Sequence, residues 1–130
     1  MINRLIVVIF SFFSMLGCTS KSVDPSIDSF VSKLRANGIS GNLQEVPVPI
    51  ENVDLSFIYQ LESSDGSQVI SIFKFLDIAS AKINYEESKS NTLMKGQTRN
   101  GLYLMSATFF PVDDEKVHEI TRIFSKHDFN

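Results

Sequence analysis

A stretch of alternating residues constrains the fold of this chain more than any other feature. Between residues 53 and 61, apolar residues alternate with mostly polar ones, and this period of two predicts a β-strand with one face in the core. The segment Ser63–Ser67 is rich in turn-forming residues and leads into a second apolar stretch, Gln68–Leu76. The two stretches therefore predict a β-hairpin within the sheet.

Three amphipathic segments, each preceded by an aspartate, predict helices. Asp24 and Pro25 are typical of a helix start, and Asn37-Gly38 is typical of a helix end. Asp77 precedes a second, weaker apolar stripe, and Asp113 precedes a third helix. The three stripes are Ile27, Phe30, Val31 and Leu34; Ile78, Ala79, Ala81, Ile83 and Tyr85; and Val117, Ile120 and Phe124.

Two further segments complete the predicted sheet. Between Leu43 and Ile50 the spacing of Val46, Val48 and Ile50 is strand-like, but the segment contains two prolines, so we expect an edge strand or an extended segment. Leu102–Phe110 is apolar on both faces and predicts an interior strand, whereas Lys89–Gly101 is expected to be a long polar loop. The sequence thus predicts a single α+β domain over residues 24–130. Its small, mostly antiparallel sheet would have three to four strands, packed with about three helices.

The first 17 residues differ in kind from the rest of the chain. They contain 12 apolar residues and no acid, and an apolar run of 12 residues, Leu5–Leu16, follows the basic Arg4. At about 1.5 Å per residue this run reaches only about 18 Å, less than the bilayer core of about 30 Å. It is therefore typical of a secretory signal peptide rather than of a membrane-spanning helix.

The only cysteine of the chain follows this run, directly after a small residue. The segment Met15-Leu16-Gly17-Cys18 resembles the lipobox of bacterial lipoproteins, in which a peptidase cuts before a cysteine whose thiol carries lipid. The family usually has leucine and a small residue where this chain has Met15 and Leu16. The resemblance implies a signal peptide over residues 1–17, cleavage between Gly17 and Cys18, and acyl chains such as palmitate on Cys18. An uncleaved anchor with an incidental cysteine is the alternative.

Acyl chains on Cys18 would hold the protein at a membrane. Two or three chains bind essentially permanently, because each buried methylene contributes about 0.8 kcal/mol. Residues 18–23 would form a short tether, since 19–23 reach only about 17 Å when extended. The resemblance implies a lipid-anchored protein of the bacterial cell envelope. Because Thr19 is not the aspartate typical of inner-membrane retention, it implies the periplasmic face of the outer membrane if the source is Gram-negative.

Few residues are candidates for catalysis or metal binding. His118 and His127 are nine positions apart, a spacing that does not place two ligands on one helix face. We expect His118 at the flank or in solvent, and His127 as a cation that favours a helix end. Asp113-Asp114-Glu115 is expected to cap a helix, and Ser64-Asp65-Gly66 lacks the alternating oxygen ligands of a calcium loop. We therefore expect no catalytic residue, no metal site and no cofactor.

Two features are candidates for binding. The strands Gln68–Leu76 and Leu102–Phe110 carry large apolar residues on both faces, so either helices cover both faces or one face is left as an aromatic platform for a partner. The sequence groups Phe73, Phe75, Tyr103, Met105 and Phe109 against Ile70, Ile72, Leu76, Leu102, Leu104 and Phe110. Lys89, Lys95 and Arg99 form a locally basic segment that is either a solvated loop or a site for anionic headgroups or glycan.

These observations favour a binding protein over an enzyme. We expect a non-enzymatic, lipid-anchored module that binds another envelope component, either a protein or a glycan. The alternatives are an envelope enzyme and a protective lipoprotein, that is, an immunity, exclusion or inhibitor protein acting against a toxin, a phage or a lytic enzyme. The net charge of −3 argues against a nucleic-acid partner, and a single cysteine excludes a disulfide scaffold.

Overall fold

The computed structural model describes residues 24–63 and 66–129. The predictions for Gly17, Cys18, the tether and the turn residues 64 and 65 lie outside these ranges. In chain order the elements are α1 (Pro25–Ala36), β1 (Gly41–Glu45), β2 (Val53–Leu61), β3 (Ser67–Phe75), α2 (Ile78–Ser88), β4 (Lys95–Asn100), β5 (Tyr103–Phe110) and α3 (Asp114–Lys126). None of these helices is both long and apolar enough to cross a bilayer.

The five strands form one antiparallel sheet in the order β1-β2-β3-β5-β4. The predicted α+β class is confirmed, as is the hairpin of β2 and β3, and β2 has the predicted bounds Val53–Leu61. The predicted count of three to four strands is wrong, because the sheet has five.

The additional strand, β4, lies inside the segment that the sequence treats as a polar loop. Lys95–Asn100 pairs with β5 at one edge of the sheet, and the register shifts between Lys95 and Thr98. An edge strand has a neighbour on one side only and can therefore be polar. Its composition resembles that of a loop for this reason, and pairing with the apolar β5 decides its structure.

The strand at the other edge, β1, begins earlier than the sequence predicts. Val46–Ile50 is not part of a strand, whereas the preceding Gly41–Glu45 pairs with β2. The first residue after β1 still donates its N–H to the Ser56 carbonyl at 3.0 Å, but the prolines that follow lack the donors needed to continue the ladder. A Cβ at Gly41 would collide with the Gln60 carbonyl oxygen, so close pairing of β1 with β2 requires glycine.

Each helix begins at the predicted aspartate. The cap bonds run from Ser26 N–H to Asp24 (2.9 Å), from Ser80 N–H to Asp77 (2.7 Å) and from Lys116 N–H to Asp113 (3.1 Å). The carboxylates satisfy amides that have no partner within the first helical turn. The prediction that Asp113-Asp114-Glu115 caps a helix is confirmed.

The face of the sheet that packs against α1 and α3, here called the core face, holds most of the buried side chains. Its residues with 1% exposure or less are Ile27, Phe30, Leu34, Phe57, Tyr59, Ile70, Ile72, Met105, Ala107, Ile120 and Phe124. Full burial of one large apolar side chain contributes about 1.5–3 kcal/mol relative to exposure. Hydrophobic stabilisation is therefore concentrated on this face.

The opposite face, here called the α2 face, is covered only in part. Ala81 is the one fully buried residue of α2. The register pairs Phe73 with Leu104 on this face and Ile72 with Met105 on the core face. The sequence pattern places Phe73 on the same face as Met105, and this grouping across β3 and β5 is wrong. The alternation of faces within each of the two strands is right. The pattern of one strand does not reveal its register against another.

Candidate binding site

The residues that the sequence singles out for chemistry are separated in the structure. His118 is exposed on α3, as predicted, whereas His127 is 5% exposed. Within residues 24–63 and 66–129, no group of three or more histidine, cysteine, aspartate or glutamate side chains is arranged to hold a metal ion. The titratable side chains among these residues thus act singly or in smaller groups.

Asp24, Asp54, Lys74 and Tyr103 form a polar cluster, here called the Asp24 cluster. Asp24 is 5% exposed and accepts a hydrogen bond of 2.6 Å from the Tyr103 hydroxyl. The Lys74 Nζ lies 3.7 Å from Asp24 and 3.9 Å from Asp54. Burial raises the pKa of Tyr103 and the bond to Asp24 raises it further, so Tyr103 remains a protonated donor and does not act as a base.

The sequence predicts Asp24 as a helix cap but does not predict its bond to Tyr103. The two residues are 79 positions apart, and no local pattern connects them. The contact joins the residue that caps α1 to the first residue of β5, so it depends on the tertiary fold. The Asp24 cluster thus joins the start of α1 to β3 and β5, and this role is structural.

His127 packs among aromatic rings and makes one directed hydrogen bond. Its Nε2 donates to the Ser26 carbonyl oxygen at 3.0 Å, since a carbonyl can only accept, and its Nδ1 has no partner among the described residues. Its ring centroid lies 5.8 Å from that of Phe30 and 4.5 Å from that of Phe129. Burial lowers the pKa of His127 and favours the neutral ring. The burial of His127 and the lowered pKa therefore argue against the predicted cation at the helix end.

A cavity of about 480 Å³, here called the end cavity, lies beside these two groups. Its lining includes Lys74, Ile78, Leu102, Tyr103, His127 and Phe129. An anionic ligand would have to compete with the two carboxylates beside Lys74, and the Tyr103 ring is stacked on Phe129 at 4.3 Å. Lys74 and Tyr103 are engaged in holding the fold together, so the end cavity is a weaker candidate than its volume indicates.

A second concavity, here called the α2 groove, opens on the α2 face between the helix and the sheet. Phe75 and Leu104 are buried in it, Phe73 is half-buried, and Ile50 is 38% exposed. Its other lining residues are Asn84, Glu87, Ser88, Asn91, Met94 and Ser106. The groove holds about 230 Å³, below the range of about 300–1,000 Å³ typical of small-molecule pockets. Its size and apolar floor suit an apolar side chain of a partner.

The wall of the α2 groove is fixed by a side chain of the unpredicted edge strand. Gln97 of β4 donates from its Nε2 to the carbonyl of Ser88 at 3.0 Å and to that of Met94 at 3.1 Å. The first of these carbonyls belongs to the last turn of α2, where carbonyls have no partner within the helix. β4 therefore holds the end of α2 in place above the sheet.

The three strands β2, β3 and β5 carry no charge beside the α2 groove. The register places three rows of side chains across β2, β3 and β5, namely Ser56, Phe73 and Leu104; Ile58, Ser71 and Ser106; and Gln60, Val69 and Thr108. None of these nine residues is ionisable. These rows are uncharged, whereas Glu87 of α2 lines the groove and Arg99 of β4 pairs with Leu104 at the edge of the sheet. The apolar floor with charged groups at its edge favours an apolar partner side chain surrounded by polar groups.

The basic residues between α2 and β5 do not form one patch. Lys89 is paired with Glu86 at 3.1 Å. Lys95 and Arg99 belong to β4, and Arg99 also donates to the backbone carbonyl two residues further on at 2.9 Å. The interpretation of this segment as a single basic surface for headgroups or glycan is therefore not supported.

No family model, curated protein or solved structure matches this chain. The choice between the two concavities therefore depends on their own geometry. The end cavity is larger, but Lys74 and Tyr103 within it already have partners. The α2 groove has a half-exposed apolar lining beside the uncharged rows of β2, β3 and β5, which makes it the better candidate for binding.

Proposed function

We propose that this protein is a lipid-anchored, non-enzymatic binding module of the bacterial cell envelope, and that its α2 groove receives an apolar side chain from another envelope protein. The observation that carries the binding part is the exposed apolar lining of the groove, with Phe73 half-buried and Ile50 38% exposed beside the uncharged rows of β2, β3 and β5. An aromatic ring in a small concave site is typical of the centre of a protein interface.

The anchoring part rests on the leader. An apolar run too short to cross a bilayer ends at Gly17, directly before the only cysteine. A thioether-bound lipid would remove the thiol that an exported chain otherwise exposes to oxidation. Attachment to the periplasmic face of the outer membrane, for a Gram-negative source, belongs to the same proposal.

The non-enzymatic part is supported by the local roles of the described titratable residues. Tyr103 is held protonated by burial and by Asp24, and His127 is neutral and enclosed by aromatic rings. A general base needs access to the proton that it removes. Both groups instead hold α1 and the end of α3 against the sheet.

Metabolic labelling with a fatty acid tests the anchor. Cys18→Ser should abolish incorporation of the label into the protein, because no other thiol is present, and Ser20→Ala serves as the matched control that keeps full incorporation. Labelling of the Cys18→Ser variant, or its absence from the unaltered protein, would contradict the anchor.

In-cell photo-crosslinking tests the binding surface. A photoreactive residue at Glu87, which lines the α2 groove, should trap one abundant envelope protein, whereas the same residue at the exposed Arg122 of α3 should not. Equal yields at both positions would contradict the proposed surface. If the residue at Glu87 captures a toxin, a phage protein or a lytic enzyme, the result would contradict the proposed envelope module and favour the function of a protective lipoprotein.

A further inference from the structure

Asp24 fixes the point at which the preceding chain enters the fold. Its carboxylate accepts from Ser26 N–H at 2.9 Å and from the Tyr103 hydroxyl at 2.6 Å, and the Lys74 Nζ lies 3.7 Å away. Each contact ties Asp24 to a different element, namely α1, β5 or β3. The chain that precedes Asp24 therefore leaves from a fixed position at one end of the sheet, here called the entry end.

Two large apolar side chains are exposed at the entry end. Leu76 is 62% exposed and Ile78 is 42% exposed. Leu76 follows Lys74 by two residues, and its N–H donates to the Asn52 carbonyl at 2.9 Å, so its backbone is also fixed. Both residues therefore lie close to the point where the preceding chain enters.

The opposite end of the sheet, here called the far end, also exposes apolar side chains. Phe110 is 53% exposed and Val112 is 57% exposed, and Phe110 pairs with Ser67 at the start of β3. Exposure alone thus does not distinguish the two ends. They differ in their distance from the lipid that Cys18 would carry.

The length of the tether makes this distinction. The six steps from Cys18 to Asp24 reach about 20 Å when extended, at about 3.4 Å per step, whereas the seven steps along β5, Tyr103–Phe110, span about 24 Å. With Cys18 held at the membrane, Asp24 cannot move far enough from the bilayer for the far end to point towards it. Even a fully extended tether is shorter than β5, which favours the orientation with the entry end towards the bilayer.

We infer that the entry end rests on the bilayer that holds Cys18, with Leu76 and Ile78 at the level of the lipid headgroups. This inference rests on the proposed lipid anchor. The charged residue between the two, Asp77, keeps its carboxylate on the backbone of Ser80 at 2.7 Å, and a carboxylate is too costly to place in hydrocarbon. Leu76 and Ile78 therefore enter only the boundary region, about 5–10 Å deep at most.

The charges of the entry end indicate that the anchor, and not electrostatic attraction, holds it there. Lys74 is flanked by two carboxylates, and Asp77 is exposed. Such a surface has no excess of basic residues to attract anionic lipid. The orientation should therefore be the same in zwitterionic vesicles and should not change with salt concentration. The strands then stand upright on the membrane, and the far end projects away from it.

Depth measurement on the full-length lipidated protein tests this orientation. Leu76→Cys and Ile78→Cys report on the entry end, and Phe110→Cys and Val112→Cys are the controls at the far end, all at exposed positions. Each introduced thiol carries a fluorophore, and the protein is reconstituted in phosphatidylcholine vesicles. A nitroxide on the upper acyl chain should quench the two entry-end labels several-fold more than the far-end labels, and aqueous iodide should show the reverse order.

The parent protein without an introduced cysteine separates this inference from the anchor. It should take no thiol label, because Cys18 is the only cysteine and its sulfur would be alkylated by lipid. If the parent takes no label but all four positions are quenched alike, or the far end is quenched more, the orientation is overturned and the anchor stands. If the parent protein takes the label, the Cys18 thiol is free and the lipid anchor is contradicted. The inferred orientation, which rests on the anchor, is then contradicted as well.

Discussion

The two faces of the sheet differ in how their helices cover them. α1 buries four apolar residues and α3 buries three, whereas α2 buries only Ala81. The core face is consequently more fully covered, and the α2 face keeps a groove with half-exposed aromatic and aliphatic side chains. Stability therefore resides mainly on the core face, and the proposed binding function uses the α2 face.

The largest effect is expected from a truncation on the core face. Phe124→Ala should lower the free energy of unfolding by about 3–5 kcal/mol, because the side chain is fully buried and packs edge-on against Phe30 at 5.4 Å. Chemical denaturation measures the loss. Ile83→Ala on α2, where the side chain is 59% exposed, is the control and should cost less than about 0.5 kcal/mol. Similar losses of unfolding free energy in the two variants would contradict the claim that stability resides mainly on the core face.

A smaller loss is expected in the Asp24 cluster. Tyr103→Phe removes the hydroxyl that donates to Asp24 at 2.6 Å and leaves a buried carboxylate short of one donor, which should cost about 1–3 kcal/mol in the free energy of unfolding. Tyr85→Phe, on the half-buried tyrosine of the α2 face, is the matched control and should cost less. An unchanged stability in Tyr103→Phe would show that this bond does not hold α1 to the sheet.

The dependence of stability on pH should distinguish the two histidines. Burial lowers the pKa of His127 in the folded state, so its contribution is fully present above the unfolded value of about 6.5 and is lost as the pH falls below it. His127→Gln should therefore flatten the fall of the unfolding free energy below that pH. His118→Gln, at the exposed histidine of the same helical region, should leave the fall unchanged. Coinciding curves for His127→Gln and the unaltered protein would contradict the neutral buried ring.

Local sequence patterns predict the elements whose structure is decided locally. The three aspartate caps, the apolar stripes of α1 and α3 and the hairpin of β2 and β3 are confirmed, because capping and alternation depend on neighbouring residues. Of the stripe predicted for α2, only Ala81 is buried. The edge strand β4 escapes prediction because its polar residues are ordered by pairing with β5. The position of β1 depends on the space that Gly41 leaves beside β2, which no local pattern reveals.

The candidate site is less accessible to sequence reasoning than the fold. The weak stripe of α2 indicates incomplete burial, and the apolar residues on both faces of β3 and β5 leave a platform as one of two possibilities. Which side chains form it depends on register, since Phe73 lies beside Leu104 only once the strands are aligned. The Asp24 cluster likewise joins residues far apart in the chain.

The most direct test of the account compares two exposed aliphatic residues that contribute little to stability. Ile50→Ser alters the α2 groove and Val112→Ser alters the far end, and each should change the free energy of unfolding by less than about 1 kcal/mol. The measurement is the yield of in-cell crosslinking from a photoreactive residue at Glu87. We predict that Ile50→Ser reduces the yield several-fold and that Val112→Ser leaves it unchanged. Equal yields in the two variants would contradict the claim that the α2 face is the binding surface.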